Sequence, residues 1–249
     1  MKLKQVALVA GELASVREQI FDILGLVADY DDPGVGAFGL HNSVMAIGET
    51  FLEVVCPKEE GTTAARLLKR RGGDGGYMVL ALVNSINGVS GRVESLRMRK
   101  IWEVDRKEVA AFHVHPKDIG AAIVSFDEMR PSNEWLWAGP GWRDRKSRNV
   151  GGITAVDVQA DDPEAIAAKW AAAFGMNVHL EGDVLLMPLD HGHIRFVEAA
   201  DGRGDGVAAV EFSVTDWTAI IAASQKHKLS WSGNEIMVCG TRFRFSDPG

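Results

Sequence analysis

The sequence predicts an α+β protein built from tandem strand–helix–strand modules, two in each half of the chain. Three observations predict it. Short β-rich runs alternate with stretches whose apolar residues recur at 3–4 spacing. A strand–helix stretch near the start recurs without a gap in the second half, with Leu13 and Pro163 opening the helices and Gly25 and Gly175 closing them, so that 163 − 13 and 175 − 25 both equal 150. Four such units can be counted along the chain.

Val6 to Val9 reads as the first strand, and Leu13, Val16, Ile20, Ile23 and Leu24 mark a helix from Leu13 to Leu26 with Gly25 as its C-cap. Val44 to Ile47 and Thr50 to Cys56 read as two strands about a Gly48-Glu49 turn, and Pro57 closes the second. The next unit comprises a strand from Tyr77 to Val83, a modest helix from Ile86 to Met98, the Phe112-His113-Val114-His115 run, a turn over Pro116 to Gly120 and a strand from Ala121 to Phe126.

In the second half, Thr154 to Gln159 is a strand. Asp161-Asp162-Pro163-Glu164 is a helix start, and the helix runs to Phe174. Strands follow at Val184 to Met187 and His193 to Glu198, with an exposed turn expected at His191-Gly192-His193. The last unit has strands at Ala208 to Val214, Ile236 to Cys239 and Arg242 to Phe245, and a helix at Trp217 to His227. Met129 to Asn149 breaks the pattern with Pro131, Pro140, Gly139, Gly141 and three tryptophans, Trp135, Trp137 and Trp142. The expected organisation is therefore a domain over 1–128, a linker over 129–149 and a second domain over 150–249. Two roles stand open for the tryptophans: stapling the linker to a domain face, or walling a ligand site. The basic run Arg143 to Arg148 is expected to be solvated.

Composition narrows the function class. Of 249 residues, 46% are hydrophobic and 24% charged, as in a folded globular protein, and the net charge of −7 argues against nucleic acid or an anionic membrane as the main partner. Cys56 and Cys239 lie in apolar strand runs and are expected to be buried thiols. The Met1-Lys2-Leu3-Lys4 start has no apolar leader pattern, and no apolar run approaches the roughly 18 residues a membrane span needs. The expected location is the cytoplasm and the expected partner a small molecule, with homodimerisation left open.

Two stretches carry a family resemblance. His115-Pro116-Lys117-Asp118-Ile119-Gly120 is similar to the His-Pro-Lys-Asp turn of methylmalonyl-CoA epimerases. Gly39-Leu40-His41-Asn42, followed by Ile47-Gly48-Glu49 and Phe51-Leu52-Glu53-Val54-Val55, resembles glyoxalase-like domains. Together with the four units, they make the chain resemble the vicinal-oxygen-chelate superfamily, which includes glyoxalases, bleomycin-resistance proteins and extradiol dioxygenases. The resemblance implies a glyoxalase-like fold in which βαβββ modules form curved mixed sheets around a divalent metal. It implies chemistry in which that metal binds two neighbouring substrate oxygens while a carboxylate moves a proton.

Carried over residue by residue, the resemblance puts Gln5, Glu53, Met78 and Ser125 at the metal positions, with Asp127 two residues beyond Ser125 on the same strand face. Glu53 is a good ligand and Gln5 a weaker one. The Met78 thioether and the Ser125 hydroxyl depart from the pattern. The expected metal set is thus Gln5, Glu53 and Asp127, holding zinc, manganese, iron or nickel, or no metal at all. In the second half the same places fall on Ala155, Arg195, Ala209 and about Phe245, which offers no metal site, and Arg195 suits an anion instead. Glu53 is the expected catalytic residue, because an acid between Leu52 and Val54 needs a task or a partner. His41, Asn42, His115, Lys117 and Arg195 are the expected substrate contacts. His113 is more simply a hairpin residue.

The implied function is an isomerase, epimerase, lyase or dioxygenase acting on a small oxygenated metabolite, with a degenerate metal site in the first domain. The alternative from another class is a non-catalytic protein of the same fold that sequesters a small molecule.

Overall fold

A computed structural model describes residues 1–248. The first half runs β1 (Lys2–Val9), α1 (Leu13–Leu24), β2 (Leu40–Ile47), β3 (Thr50–Pro57), α2 (Thr63–Arg71), β4 (Gly75–Leu82), α3 (Ile86–Ser95), β5 (Lys100–Asp105), β6 (Val109–Val114), α4 (Pro116–Ile119) and β7 (Ile123–Met129). The second runs β8 (Val150–Ala160), α5 (Pro163–Phe174), β9 (His179–Glu181), β10 (Val184–Pro188), β11 (His193–Glu198), β12 (Gly206–Val214), α6 (Trp217–Lys226), β13 (Trp231–Ser232), β14 (Glu235–Val238) and β15 (Thr241–Ser246). Strands β1–β7 belong to one mixed sheet and β8–β15 to another. The α+β class and the four modules stand as the sequence predicts.

The helices form where their caps dictate. The Glu12 carboxylate accepts from the Ala14 and Ser15 amides at 2.8 Å and starts α1, whose buried stripe is Val16, Ile20, Ile23 and Leu24. Gly25 ends it in the left-handed region (φ 68°), against the Asn149 side chain, which leaves no room for a Cβ. Asp162 and Gly175 do the same for α5.

Cα packing divides the chain into two compact units, and each draws on both sequence halves. Unit 2 comprises residues 5–77, 137–154 and 209 onward. It holds strands in the orders β2-β3-β1 and β13-β14-β15-β12, and its α1 meets α6. There the Asp22 carboxylate bonds Lys226 Nζ and His227 Nε2, each at 2.6 Å. The segment after Leu136 packs on this unit. Trp142 meets Phe51 edge-on at 5.1 Å between centroids, and Gly139 lies directly against the Tyr30 ring. Trp142 therefore staples rather than walls. The basic run beside it is not simply solvated: Arg143 stacks on Trp142, and Arg145 bonds the carbonyls of Ala138 and Pro140.

Unit 1 comprises residues 1–4, 78–136 and 155–208, with strand orders β4-β7-β6-β5 and β8-β11-β10-β9. Its α3 meets α5, where Arg92 bonds the Phe174 carbonyl at 3.0 Å. Trp170 is its anchor: it stacks on Phe174, meets Phe196 edge-on and donates from Nε1 to the Gly120 carbonyl at 3.2 Å. Cys56 and Cys239 are free and buried. Among the described residues no helix is long and apolar enough to cross a membrane.

The repeat extends to residue register. In the first half Ala7 pairs with Glu53, Glu53 with Val44, and Val44 with Tyr30 through an isolated bridge. In the second half Asp157 pairs with Arg195, Arg195 with Leu186, and Leu186 with His179. Since 7 + 150 = 157, the row Tyr30–Val44–Glu53–Ala7 corresponds to His179–Leu186–Arg195–Asp157. The lone Tyr30 bridge stands where β9 stands, so the first module lacks one full strand.

Replacing Trp170 with alanine removes a fully buried ring and leaves a cavity between α5 and its strands. A loss of about 3–5 kcal/mol is expected, read from urea unfolding midpoints at unchanged slope.

Candidate functional site

In unit 2 the alternation of β1, β2 and β3 puts Gln5, Ala7, Asn42, Val44, Phe51 and Glu53 on one face. Glu53 is 7% exposed. Its Oε2 accepts from Gln5 Nε2 at 2.8 Å and its Oε1 from Asn42 Nδ2 at 2.5 Å. Asn42 is itself oriented from behind, because its Oδ1 accepts the Asp32 amide N–H at 2.9 Å. The carboxyl is thus clamped between two amides on neighbouring strands.

Burial, the largest influence, pushes the Glu53 carboxyl up from 4.5 to about 7. The Asn42 bond pulls it down, the Asp32 charge pushes it up, and the Gln5 bond pulls it down. Asp32, half-buried at the start of the Pro33–Phe38 3-10 turn, is also raised, first by its burial. Tyr77 is buried at the start of β4. Its phenol is pushed up to about 12, chiefly by burial and then by the Glu53 charge. Tyr77 also lines a cavity of about 430 Å³, with Phe38, Leu40, Thr62 and Arg66 around it.

The structure brings together Gln5, Asn42 and Glu53 of the predicted residues. His41 neighbours Asn42 but points to the opposite face of β2 and pairs with Cys56. The His115 Nδ1 accepts the Lys117 amide at 3.0 Å and caps α4, while Lys117 itself is exposed. Asp118 grips Arg99 through both carboxylate oxygens at 2.7 and 2.8 Å. The His-Pro-Lys-Asp turn is thus held by its own capping bond and by Arg99.

Met78, Ser125 and Asp127 belong to unit 1. There Ser125 sits opposite His113, with no hydrogen-bond partner for its buried Oγ, and Asp127 sits opposite Ala111. His113 lies against the Trp102 ring at 4.4 Å between centroids, and burial pushes its imidazole down to about 4. Arg195 is also in unit 1, with its Nε 2.6 Å from the Asp157 carboxylate.

Three of these groups were missed by sequence reasoning. Asp157 carries the signal that singled out Glu53, an acid inside an apolar strand run. Asp32 and Tyr77 carry none: one looks like an ordinary turn acid, the other like a core aromatic.

The Glu53 clamp is a poor seat for a divalent cation. Both carboxylate oxygens face amide N–H groups, the positive ends of their dipoles, and Asn42 Oδ1 is taken by the Asp32 amide. Among the described residues no three His, Cys, Asp or Glu side chains converge. The donors present do not fit the metal that the resemblance implied.

Comparison with solved structures finds a hypothetical protein from Staphylococcus aureus at TM-score 0.70 and 14% identity, covering 99% of both chains. It also finds a triple mutant of 4-hydroxymandelate synthase from Streptomyces coelicolor at TM-score 0.70 and 15% identity, covering 92% of this chain and 75% of that one. Methylmalonyl-CoA epimerase from Mycobacterium tuberculosis aligns over 51% of this chain and 87% of its own, at TM-score 0.46 and 20% identity. No protein-family model and no curated protein sequence matches the chain.

The raised Glu53 pKa has a sign that unfolding reads. The folded state holds this proton up to about 7, whereas the unfolded chain releases it near 4.5, so the folded state binds more protons between those values. Stability is therefore lost as pH rises through that window, by at most about 3 kcal/mol. A Glu53→Gln variant, whose amide pairs with Asn42 and a flipped Gln5, is expected to lack this dependence. Denaturant melts of both proteins at a series of pH values check it: parallel curves would show that the carboxyl is not perturbed.

Proposed function

We propose that this chain, which has the vicinal-oxygen-chelate fold, is an enzyme that moves a proton on a small oxygenated metabolite, with the Glu53 carboxyl as base and acid. The observation that carries the reading is the pKa of about 7 on a buried, doubly clamped carboxyl. A base works best when its pKa lies near the working pH, where it is both substantially deprotonated and strong enough to accept a proton. An ordinary surface glutamate is deprotonated but far weaker.

The step consistent with these groups is removal of a proton from a carbon next to a carbonyl. The C–H pair of electrons moves onto the carbonyl oxygen as the proton passes to Glu53, and the enolate regains a proton on collapse. Tyr77, whose phenol feels the Glu53 charge and stays protonated to about 12, is the donor this reading assigns to the enolate oxygen. Isomerisation, epimerisation and lyase addition all begin this way. Ring-cleaving oxygenation needs a redox metal, for which the Gln5–Asn42–Glu53 donor set is unsuited. A sequestering protein has no use for a carboxyl poised at neutral pH, and this favours catalysis over the binding alternative.

The test is proton exchange in deuterated buffer against a panel of 2-oxo acids, 2-hydroxy acids and acyl thioesters, followed by NMR loss of the α-proton signal. Exchange is expected to rise through pH about 7, to fall by about 10²-fold or more in Glu53→Gln, and to fall by about 10²-fold in Tyr77→Phe. Unchanged exchange in Glu53→Gln would remove the base. Saturable binding without exchange would return the protein to the sequestering class.

A further inference from the structure

The register equivalence of Glu53 and Arg195 exposes a difference between the two halves. In the first half both faces of β2 and β3 are buried, and the segment around Gly139 and Trp142 packs on the side chains of Tyr30 and Phe51, which share the Glu53 face. The equivalent face of β9–β11 in unit 1 stays open. Met187, Ile194 and Phe196 on one side are buried, with Phe196 against Trp170. On the other side Val184, Leu186, His193 and Arg195 are only half-buried, and they line a cavity of about 680 Å³ with His179 and Leu189. That volume suits a small organic molecule.

The chemistry of the lining is specific. Arg195 is seated by its Nε on Asp157, whose side chain is 3% exposed, so the guanidinium plane is fixed before any ligand arrives. His193 lies two residues away on the same strand face, and His179 stands across the row, 4.0 Å from the Glu181 carboxylate at the lip. Between these cationic or donor groups lie the Val184, Leu186 and Leu189 side chains. These aliphatic side chains are half-buried, so part of each faces the cavity beside the oriented arginine.

We propose that the open face of β9–β11 is a binding site for a small carboxylate ligand with an apolar body: Arg195 and His193 meet the carboxylate, and Leu186, Val184 and Leu189 meet the body. A charged fork gives orientation and the aliphatic wall gives contact area. The site stands independently of the Glu53 chemistry.

Isothermal titration calorimetry with benzoate tests it, with benzamide as the uncharged isostere. One benzoate per chain is expected, with benzamide at least about tenfold weaker, a difference of about 1.4 kcal/mol. The Arg195→Met variant is expected to lose at least tenfold in benzoate affinity. Because that variant strands Asp157, Leu186→Trp provides a second arm: it fills the cavity, leaves the Arg195–Asp157 pair in place and is expected to block benzoate in a protein that still folds. In the wild type, benzoate should shift the ring signals of His193 and His179 in NMR spectra. No binding up to about 10 mM, benzamide binding as tightly as benzoate, or undiminished benzoate binding to Leu186→Trp would each overturn the proposal.

Discussion

A carboxyl group removed from water has to be compensated where it sits, and the strand register puts that demand on residue 53. Side chains on β1 and β2 can answer it only if they lie on the same face and within one or two residues of the Ala7–Glu53–Val44 row. Gln5 and Asn42 do. A hydrogen bond to a charged group contributes about 1.5–3 kcal/mol, so two amides offset part of the several kcal/mol that desolvating a carboxylate costs. They do not offset all of it, and the remainder appears as the raised pKa. The clamp therefore sets two properties together: it fixes the direction of the carboxyl, and it leaves the charge on it incompletely stabilised.

The same register position in the second half meets the same demand with the opposite charge. Arg195 carries the cation, and Asp157, at the place of Ala7, carries the counter-charge across one parallel strand pair. An ion pair answers burial differently from an amide clamp. It cancels charge locally, where the clamp leaves a lone carboxyl. An amide-clamped carboxyl in one half and an ion pair in the other follow from substituting residues within one architecture.

Local chemistry decided how much of this was legible in the sequence. The helices with side-chain caps and a closing glycine, α1 and α5, were readable nearly to the residue, because Glu12 with Gly25 and Asp162 with Gly175 state both ends. Several elements were not. Strand β5 alternates half-buried and exposed positions with Lys100, Glu103 and Asp105 among them, β9 is exposed throughout, and α2 has four charged residues among nine. An edge strand buries too little apolar surface to imprint a period, and α2 is only nine residues long. The start of β2 at Leu40 was hidden by His41, Asn42 and Ser43, of which Asn42 bonds Glu53 and Ser43 bonds Asp29. At the site, Glu53 stood out as an acid in an apolar run, while Gln5 was reached only through the position that the resemblance implied. Asn42 was noticed but given to substrate, since nothing local announces that its amide faces residue 53. His115, Lys117 and Asp118 were conspicuous for another reason: their turn is closed by its own capping bond and by Arg99, and such turns keep a recognisable spelling whatever the neighbouring cavity does.

The contrast between the two halves also bears on what a ligand must do at each. Around Glu53 nearly every neighbour is buried, so any molecule reaching it has to displace packed side chains, and the low-dielectric surroundings that raise the pKa are kept only if water does not follow it in. At Arg195 the face is already open and the guanidinium already seated, so binding there demands little rearrangement and the ion pair with Asp157 tolerates nearby solvent. A group whose chemistry depends on dryness is found where the fold is closed, and a group whose charge survives hydration is found where it is open. That ordering is what the desolvation energies of a lone carboxyl and of a paired guanidinium require.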